Sequence, residues 1–220
     1  MKLTRLSSRP VLEPNPDNHW EAGAVYNCAA VRHQGLVYLI YRATDVSSSG
    51  SKAHYISRLG CAVSSDGLHF NRLAEPVLGN AVPQEARGPE DPRIVKIGGT
   101  FYMTYTGYGG RFDGDYRICL ASSKNLIEWQ RHGVLLEESN KDASLFSRKI
   151  ADRYWMFHRR PPSIWLAASG DLMTWGDHRE VMAPVEDSRW ENLKIGIAGP
   201  PIETEDGWLL IYHGVNHEKE

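Results

Sequence analysis

Ser65-Asp66-Gly67-Leu68-His69-Phe70, Ser123-Lys124-Asn125-Leu126-Ile127-Glu128-Trp129 and Ser169-Gly170-Asp171-Leu172-Met173-Thr174-Trp175 are three copies of one signature. Each is a polar turn around Asp or Asn followed by an aromatic residue, and each closes a β-rich stretch. A fixed aromatic after a polar turn, recurring once per unit, announces stacked supersecondary units such as propeller blades. Phe70, Trp129 and Trp175 hold the same place in the repeat and read as residues that pack one unit on the next.

Around the signature the units share one order. A strand carrying polar residues comes first, then a hairpin and an aromatic strand, as in Leu36-Val37-Tyr38-Leu39-Ile40-Tyr41, Phe101-Tyr102-Met103-Thr104-Tyr105 and Tyr154-Trp155-Met156-Phe157-His158. A strand of small residues follows, as in Leu59-Gly60-Cys61-Ala62-Val63 or Ile118-Cys119-Leu120-Ala121-Ser122, then the signature and a last strand. Gln34-Gly35, Gly98-Gly99 and Asp206-Gly207 suit tight hairpins that need positive φ. Four strands per unit is the pattern of a propeller blade, so the fold class expected is all-β. Units begin near Ala24, Asp91 and Ser144. A fourth begins near Gly199 and stops after its second strand, so residues 1–220 are expected to be one propeller domain with its last blade incomplete.

With 220 residues, 41% of them hydrophobic, the chain can bury a sizeable core. A formal net charge of −2 argues against nucleic acid or an anionic membrane as partner. No apolar run approaches the ~18 residues that span a bilayer, and Met1-Lys2-Leu3-Thr4-Arg5-Leu6 is too polar for a secretory leader. Cys28, Cys61 and Cys119 show no metal-type spacing and sit in apolar runs; they read as small buried hydrophobes of a reducing compartment, with the cytoplasm as the expected location and no metal.

The densest chemistry lies in Arg87-Gly88-Pro89-Glu90-Asp91-Pro92-Arg93-Ile94, where two acids, two arginines and two prolines share eight residues. Prolines restrict the backbone, and guanidinium groups can orient a carboxylate through paired hydrogen bonds. The plain alternative is an ion-paired turn that merely ties blades together. Asn27, Arg42, Arg148, Lys149, His158, Arg159, Lys194 and His213 also fall in or at the ends of strands. Cations at equivalent places in successive blades would converge on the axis and form an anion site.

Gly88-Pro89-Glu90-Asp91-Pro92-Arg93-Ile94 and Tyr102-Met103-Thr104-Tyr105-Thr106 together resemble glycoside hydrolase family 130, the β-mannoside phosphorylases and related hydrolases. The likeness runs in order through Tyr26-Asn27-Cys28, Tyr41-Arg42-Ala43, Ser57-Arg58-Leu59-Gly60, Leu145-Phe146 with Lys149-Ile150, His158-Arg159, Gly199-Pro200-Pro201 and Tyr212-His213-Gly214. The resemblance implies a five-bladed β-propeller, with about three and a half blades in these residues. It also implies Asp91 as proton donor, and Asn27, Arg42, Arg58, Glu90, Arg93 and Tyr105 as substrate-binding residues. Arg148, Arg159, Lys194 and His213 would hold phosphate. The activity implied is inverting phosphorolysis of a β-mannosyl disaccharide or oligosaccharide to mannose 1-phosphate, like that of a β-1,4-mannosyl phosphorylase. Inorganic phosphate is the co-substrate, no cofactor is needed, and a homo-oligomer is possible within the family. An inverting reaction needs an acid on the leaving-group side and room for a nucleophile opposite; phosphate needs cationic positioning rather than a base. The sequence shows the cations and no evident acidic pair for activating water. A hydrolase of the same fold and a non-catalytic carbohydrate-binding propeller fragment are the competing readings.

Overall fold

The computed structural model describes residues 4–46 and 55–217, so Met1–Leu3 of the N-terminal hexapeptide lie outside it. Three four-stranded antiparallel sheets follow one another along the chain. The first holds β1 (Ala24–His33), β2 (Leu36–Thr44), β3 (Ser57–Ser64) and β4 (Asn71–Arg72). The second holds β5 (Gly88–Ile97), β6 (Thr100–Tyr108), β7 (Tyr116–Ser123) and β8 (Gln130–Leu136). The third holds β9 (Lys141–Leu145), β10 (Tyr154–Arg160), β11 (Ser163–Ser169) and β12 (Gly176–Met182). Each pairs in sequence order, the meander of a propeller blade. Beyond them β13 (Lys194–Ile197) pairs with β16 (Tyr212–Val215), and β14 (Ile202–Thr204) with β15 (Gly207–Leu209).

The first strands of these sheets therefore begin at Ala24, Gly88, Lys141 and Lys194. The last three start ahead of the expected Asp91, Ser144 and Gly199, because the polar residues that mark the units lie inside the strands rather than at their first residues. Among the described residues no helix is long and apolar enough to cross a membrane.

Apolar side chains fill the seams between neighbouring sheets. Ile40, Leu59, Cys61, Phe101, Met103 and Leu126 pack together between the first and second sheets. Val95, Ile118, Leu145, Met156, Leu172 and Trp175 do so between the second and third. Ile164 meets Ile195 and Ile197 between the third and the β13 pair. The hairpins take the conformations their residues suggest: φ is 50° and 81° at Gln34-Gly35, and 55° and 82° at Gly98-Gly99.

The repeated signature is one hydrogen-bonded motif, and its first copy starts one residue earlier than expected, at Ser64. In each copy a Ser hydroxyl accepts two backbone N–H groups: from Asp66 and Gly67 at Ser64, Asn125 and Leu126 at Ser123, and Asp171 and Leu172 at Ser169. The Asp or Asn two residues on then accepts the next two N–H groups, for example Met173 and Thr174 on Asp171 Oδ1, both at 2.8 Å. The residue between takes a left-handed φ: 77° at Gly67, 67° at Leu126 and 70° at Leu172. That twist drives Leu126 and Leu172 into the interior and brings Trp129 and Trp175 back, their indole N–H groups donating to Leu126 O and Leu172 O at 3.1 and 3.0 Å. A branched side chain in the left-handed region is strained, so the side-chain caps and the buried leucine must outweigh that cost. Ser123→Ala leaves the buried Leu126 N–H unpaired and is expected to lower unfolding free energy by about 1–3 kcal/mol, measured by urea denaturation.

Candidate active site

Three times an inner strand carries an extra residue. Register shifts between Tyr26 and Ala29 in β1, between Glu90 and Arg93 in β5, and across Phe157 and Arg159 where β10 pairs with β9. At each bulge a short polar residue takes a left-handed φ: Asn27 at 46°, Asp91 at 52° and Asp142 at 57°. Asn and Asp tolerate this region better than other non-glycine residues, and a bulge re-aims the side chain it carries. All three side chains line one cavity of about 440 Å3, together with Cys28, Pro92, Arg93, Lys141, Arg159, Ala198 and His213. This is the size of an ordinary small-molecule site.

Two ionic groups build its walls. On one side Asp91 Oδ1 accepts hydrogen bonds from Asn27 Nδ2 at 2.9 Å and Arg42 Nη1 at 3.1 Å. Arg42 Nη2 also donates to Glu90 Oε1 at 2.5 Å, and Ser57 Oγ joins the same oxygen at 3.0 Å. The buried Arg42 thus ties the first blade to both acids of the second. Tyr26 and Tyr55 lie near its guanidinium, 4.7 and 5.6 Å from ring centre to Cζ. Burial works to raise the Asp91 carboxyl, but Arg42, the Asn27 amide and Arg93 outweigh it, so Asp91 sits below the usual carboxylate range. Burial pushes the neighbouring Glu90 up; Arg42 opposes this and the charge of Asp91 adds to it.

On the other side Asp142 is flanked by Arg93 and Arg159. Arg93 Nη2 donates to Asp142 Oδ1 at 3.1 Å and to Ile197 O at 2.7 Å, while Nη1 donates to Asp91 O at 3.0 Å. Arg159 Nη1 lies 2.6 Å from Asp142 Oδ2, an ion-pair contact without hydrogen-bond alignment. His213 Nε2 stands 3.7 Å from the same oxygen, and burial lowers the His213 imidazole below its ordinary value. Lys141 completes the cationic lining, with its ammonium 4.8 Å from the centre of the Tyr116 ring.

Of the residues expected from sequence, Asn27, Asp91, Arg93, Arg159 and His213 line this cavity, and Arg42 and Glu90 buttress it from behind. Lys194 begins β13, half-buried, two residues before Gly196. Arg58 lies outside the cavity lining, 3.7 Å from Asp45. Tyr105 is placed in the core instead of a sugar pocket: its buried hydroxyl donates to Glu85 at 2.6 Å beneath Arg131. Arg148 is likewise elsewhere, half-exposed against Glu203 at 2.5 Å and Trp208. Cys61 and Cys119 are buried as expected, whereas Cys28 is exposed on the cavity wall. Lys141 and Asp142 escaped the sequence reading, which started the third unit at Ser144. Asp142 adds an acid to the cavity lining beside Asp91, where the sequence showed no evident acidic pair for activating water. The signal was present as a short polar residue near the start of each inner strand: Asn27 and Asp91 at the fourth residue, Asp142 at the second.

Gly196 leaves room for this arrangement. A Cβ there would stand 2.6 Å from Asp142 Oδ2 and 2.7 Å from His213 Cε1. Gly196→Ala is expected to displace His213 and weaken anion binding on the order of tenfold, read by calorimetric titration with inorganic phosphate.

The sequence profile of the family described as beta-1,4-mannooligosaccharide phosphorylase, glycoside hydrolase family 130, matches residues 3–220. A 1,2-beta-oligomannan phosphorylase of Thermoanaerobacter sp. (strain X514) is 57% identical over 216 residues, which are 98% of this chain and 73% of that protein. A beta-1,2-mannobiose phosphorylase of the same organism is 48% identical over 222 residues, with the same coverage. The crystal structure of a glycosyl hydrolase from Bacteroides ovatus superposes with a TM-score of 0.85 at 28% identity, covering 97% of this chain and 69% of that one. The chain belongs to glycoside hydrolase family 130.

Proposed function

We propose that this cavity performs inverting phosphorolysis of β-mannosides, giving mannose 1-phosphate, with β-1,2-linked mannobiose or oligomannan as the first substrate to consider. The observation that carries the reading is the division of the cavity into an acid side at Asp91 and a cationic side at Arg93, Lys141, Arg159 and His213. The linkage follows the two phosphorylases at 57% and 48% identity.

In this reading Asn27, Arg42 and Glu90 orient Asp91 toward the glycosidic oxygen, directly or through a sugar hydroxyl. Arg159 and His213 hold phosphate against the opposite face of the anomeric carbon, with Lys141 adding positive charge; Lys194 stands outside the lining. Phosphate is already a nucleophile, so the protein's part is positioning and charge neutralisation. The proton leaves Asp91 for the departing hydroxyl as phosphate oxygen forms the new bond to carbon. Asp91 rests as a carboxylate in the free site and must gain its proton in the loaded one. Arrival of an anion and exclusion of water both raise a nearby carboxyl, so substrate binding favours the acid form. Arg58, Tyr105 and Arg148 have no part in this scheme, since none reaches the cavity.

The hydrolase reading is disfavoured by the surroundings of Asp142. An acid that activates water needs a lone pair that the water can reach; Asp142 Oδ1 accepts from Arg93, and Oδ2 is buried against Arg159. The unpaired thiols of Cys61 and Cys119 fit a reducing, cytoplasmic setting, and a homo-oligomer is proposed only on the family likeness.

Mannose 1-phosphate release that requires added phosphate supports phosphorolysis; free mannose formed without phosphate would establish hydrolysis; sugar binding with no turnover would establish a binding module. Asp91→Asn is expected to cut kcat about 1,000-fold, within the 10²–10⁴-fold span of a general acid, with an unchanged circular dichroism spectrum.

A further inference from the structure

Arg159 reaches the cavity from a strand end whose ladder is broken by the third bulge. Pairing of β10 with β9 steps from Phe157↔Ser144 to Arg159↔Lys141. There the backbone N–H of Arg159 is donated to a side chain, Asn140 Oδ1, at 3.2 Å. Asn140 is buried at 1% exposure, and its own N–H is donated to Tyr116 O at 3.1 Å. Its Nδ2 group donates to Glu138 Oε1 at 2.8 Å and meets His158 Nδ1 at 2.9 Å.

This geometry sets the direction of every hydrogen bond in the chain. A carboxylate only accepts, so the amide nitrogen faces Glu138 and the amide oxygen faces Arg159. His158 Nδ1 must then accept, its proton sits on Nε2, and that proton is donated to His178 Nδ1 at 3.0 Å. His158 is fully buried, and burial foremost, with His178 and Arg160, lowers its imidazole to about 3. It therefore stays neutral and available as an acceptor. Glu138 is anchored in turn by Arg160 Nε at 2.8 Å. None of Glu138, Asn140, His158 and His178 lines the cavity.

We infer that Asn140 and His158 are positioning residues that set the place of Arg159, and hence phosphate affinity, from outside the site. The inference rests on the phosphorylase reading. The third bulge has Arg93 and Arg159 as partners in the cavity wall and is braced from behind by this relay as well. With the amide gone, the Arg159 backbone loses its acceptor and the guanidinium loses its fixed start point against Asp142.

The test uses the whole chain and varies phosphate and mannoside separately. Asn140→Ala is expected to raise KM and Kd for inorganic phosphate about tenfold, the loss of roughly one buried hydrogen bond, while KM for the mannoside changes less than about twofold. His158→Phe should move the same way, and His158→Gln, which keeps an acceptor for Asn140, should recover most of the loss. Variants that bind phosphate as the native chain does, or lose both substrates equally, overturn the positioning role and leave phosphorolysis standing. A native chain with neither phosphate dependence nor phosphate binding overturns phosphorolysis itself, and the role of the relay in it. Should Asn140→Ala fail to fold, nitrogen NMR of native His158 decides: a proton on Nε2 supports the relay, and a proton on Nδ1 overturns it.

Discussion

One extra residue in the first strand of each of the three four-stranded blades is the constraint on which the site depends. A regular strand alternates its side chains between two faces, and the inner strand of a blade would then send few polar groups toward the axis. The bulge interrupts that alternation and turns Asn27, Asp91 and Asp142 into a common cavity, each through a left-handed φ. Such conformations cost backbone energy. Short polar side chains lessen the cost, and hydrogen bonds across blades hold them in place.

The charges that occupy the cavity also fasten the blades. Arg42, from the first blade, binds both Glu90 and Asp91 of the second. Arg93, from the second, binds Asp142 of the third and the Ile197 carbonyl of β13. These buried pairs are weak evidence for stability, because desolvation offsets much of their attraction. The apolar seams around Leu59, Met103, Ile118 and Met156 supply the cohesion, while the ion pairs decide how the seams are aligned. The same arginines therefore shape the fold and hold the Asp91 carboxyl below the usual carboxylate range.

Much of this was legible in the chain. The Ser, Asp or Asn, and aromatic signature marked each blade because its hydrogen bonds are local, spanning at most a few residues. Glu90-Asp91-Pro92-Arg93 marked the acid side for a similar reason. Arg148 and Tyr105 show where legibility stops. Arg148 lies in the bend after β9, outside any strand, so no strand face directs it to the axis and its side chain turns to the exposed Glu203. Tyr105, in an aromatic strand, points into the seam toward Glu85. Asp142 and Lys141 were overlooked because the third unit reads as beginning at Ser144, and the bulge that turns Asp142 inward lies just ahead of it.

The sequence by itself determined that the chain is all-β, built of repeated four-stranded units and related to the mannoside phosphorylases, with its densest polar cluster around Asp91. Those features depend on residue type and local spacing, which a linear chain displays directly. Only the tertiary structure decided that Asp142 joins Asp91 in the cavity, that Arg93 and Arg159 flank it, and that Arg148 stands outside. It also decided that Asn140, outside the cavity lining, accepts the Arg159 backbone N–H with His158 behind it. Each of these turns on which face a side chain takes after a bulge and on which blade packs beside it, and both are set by contacts between residues far apart in the chain.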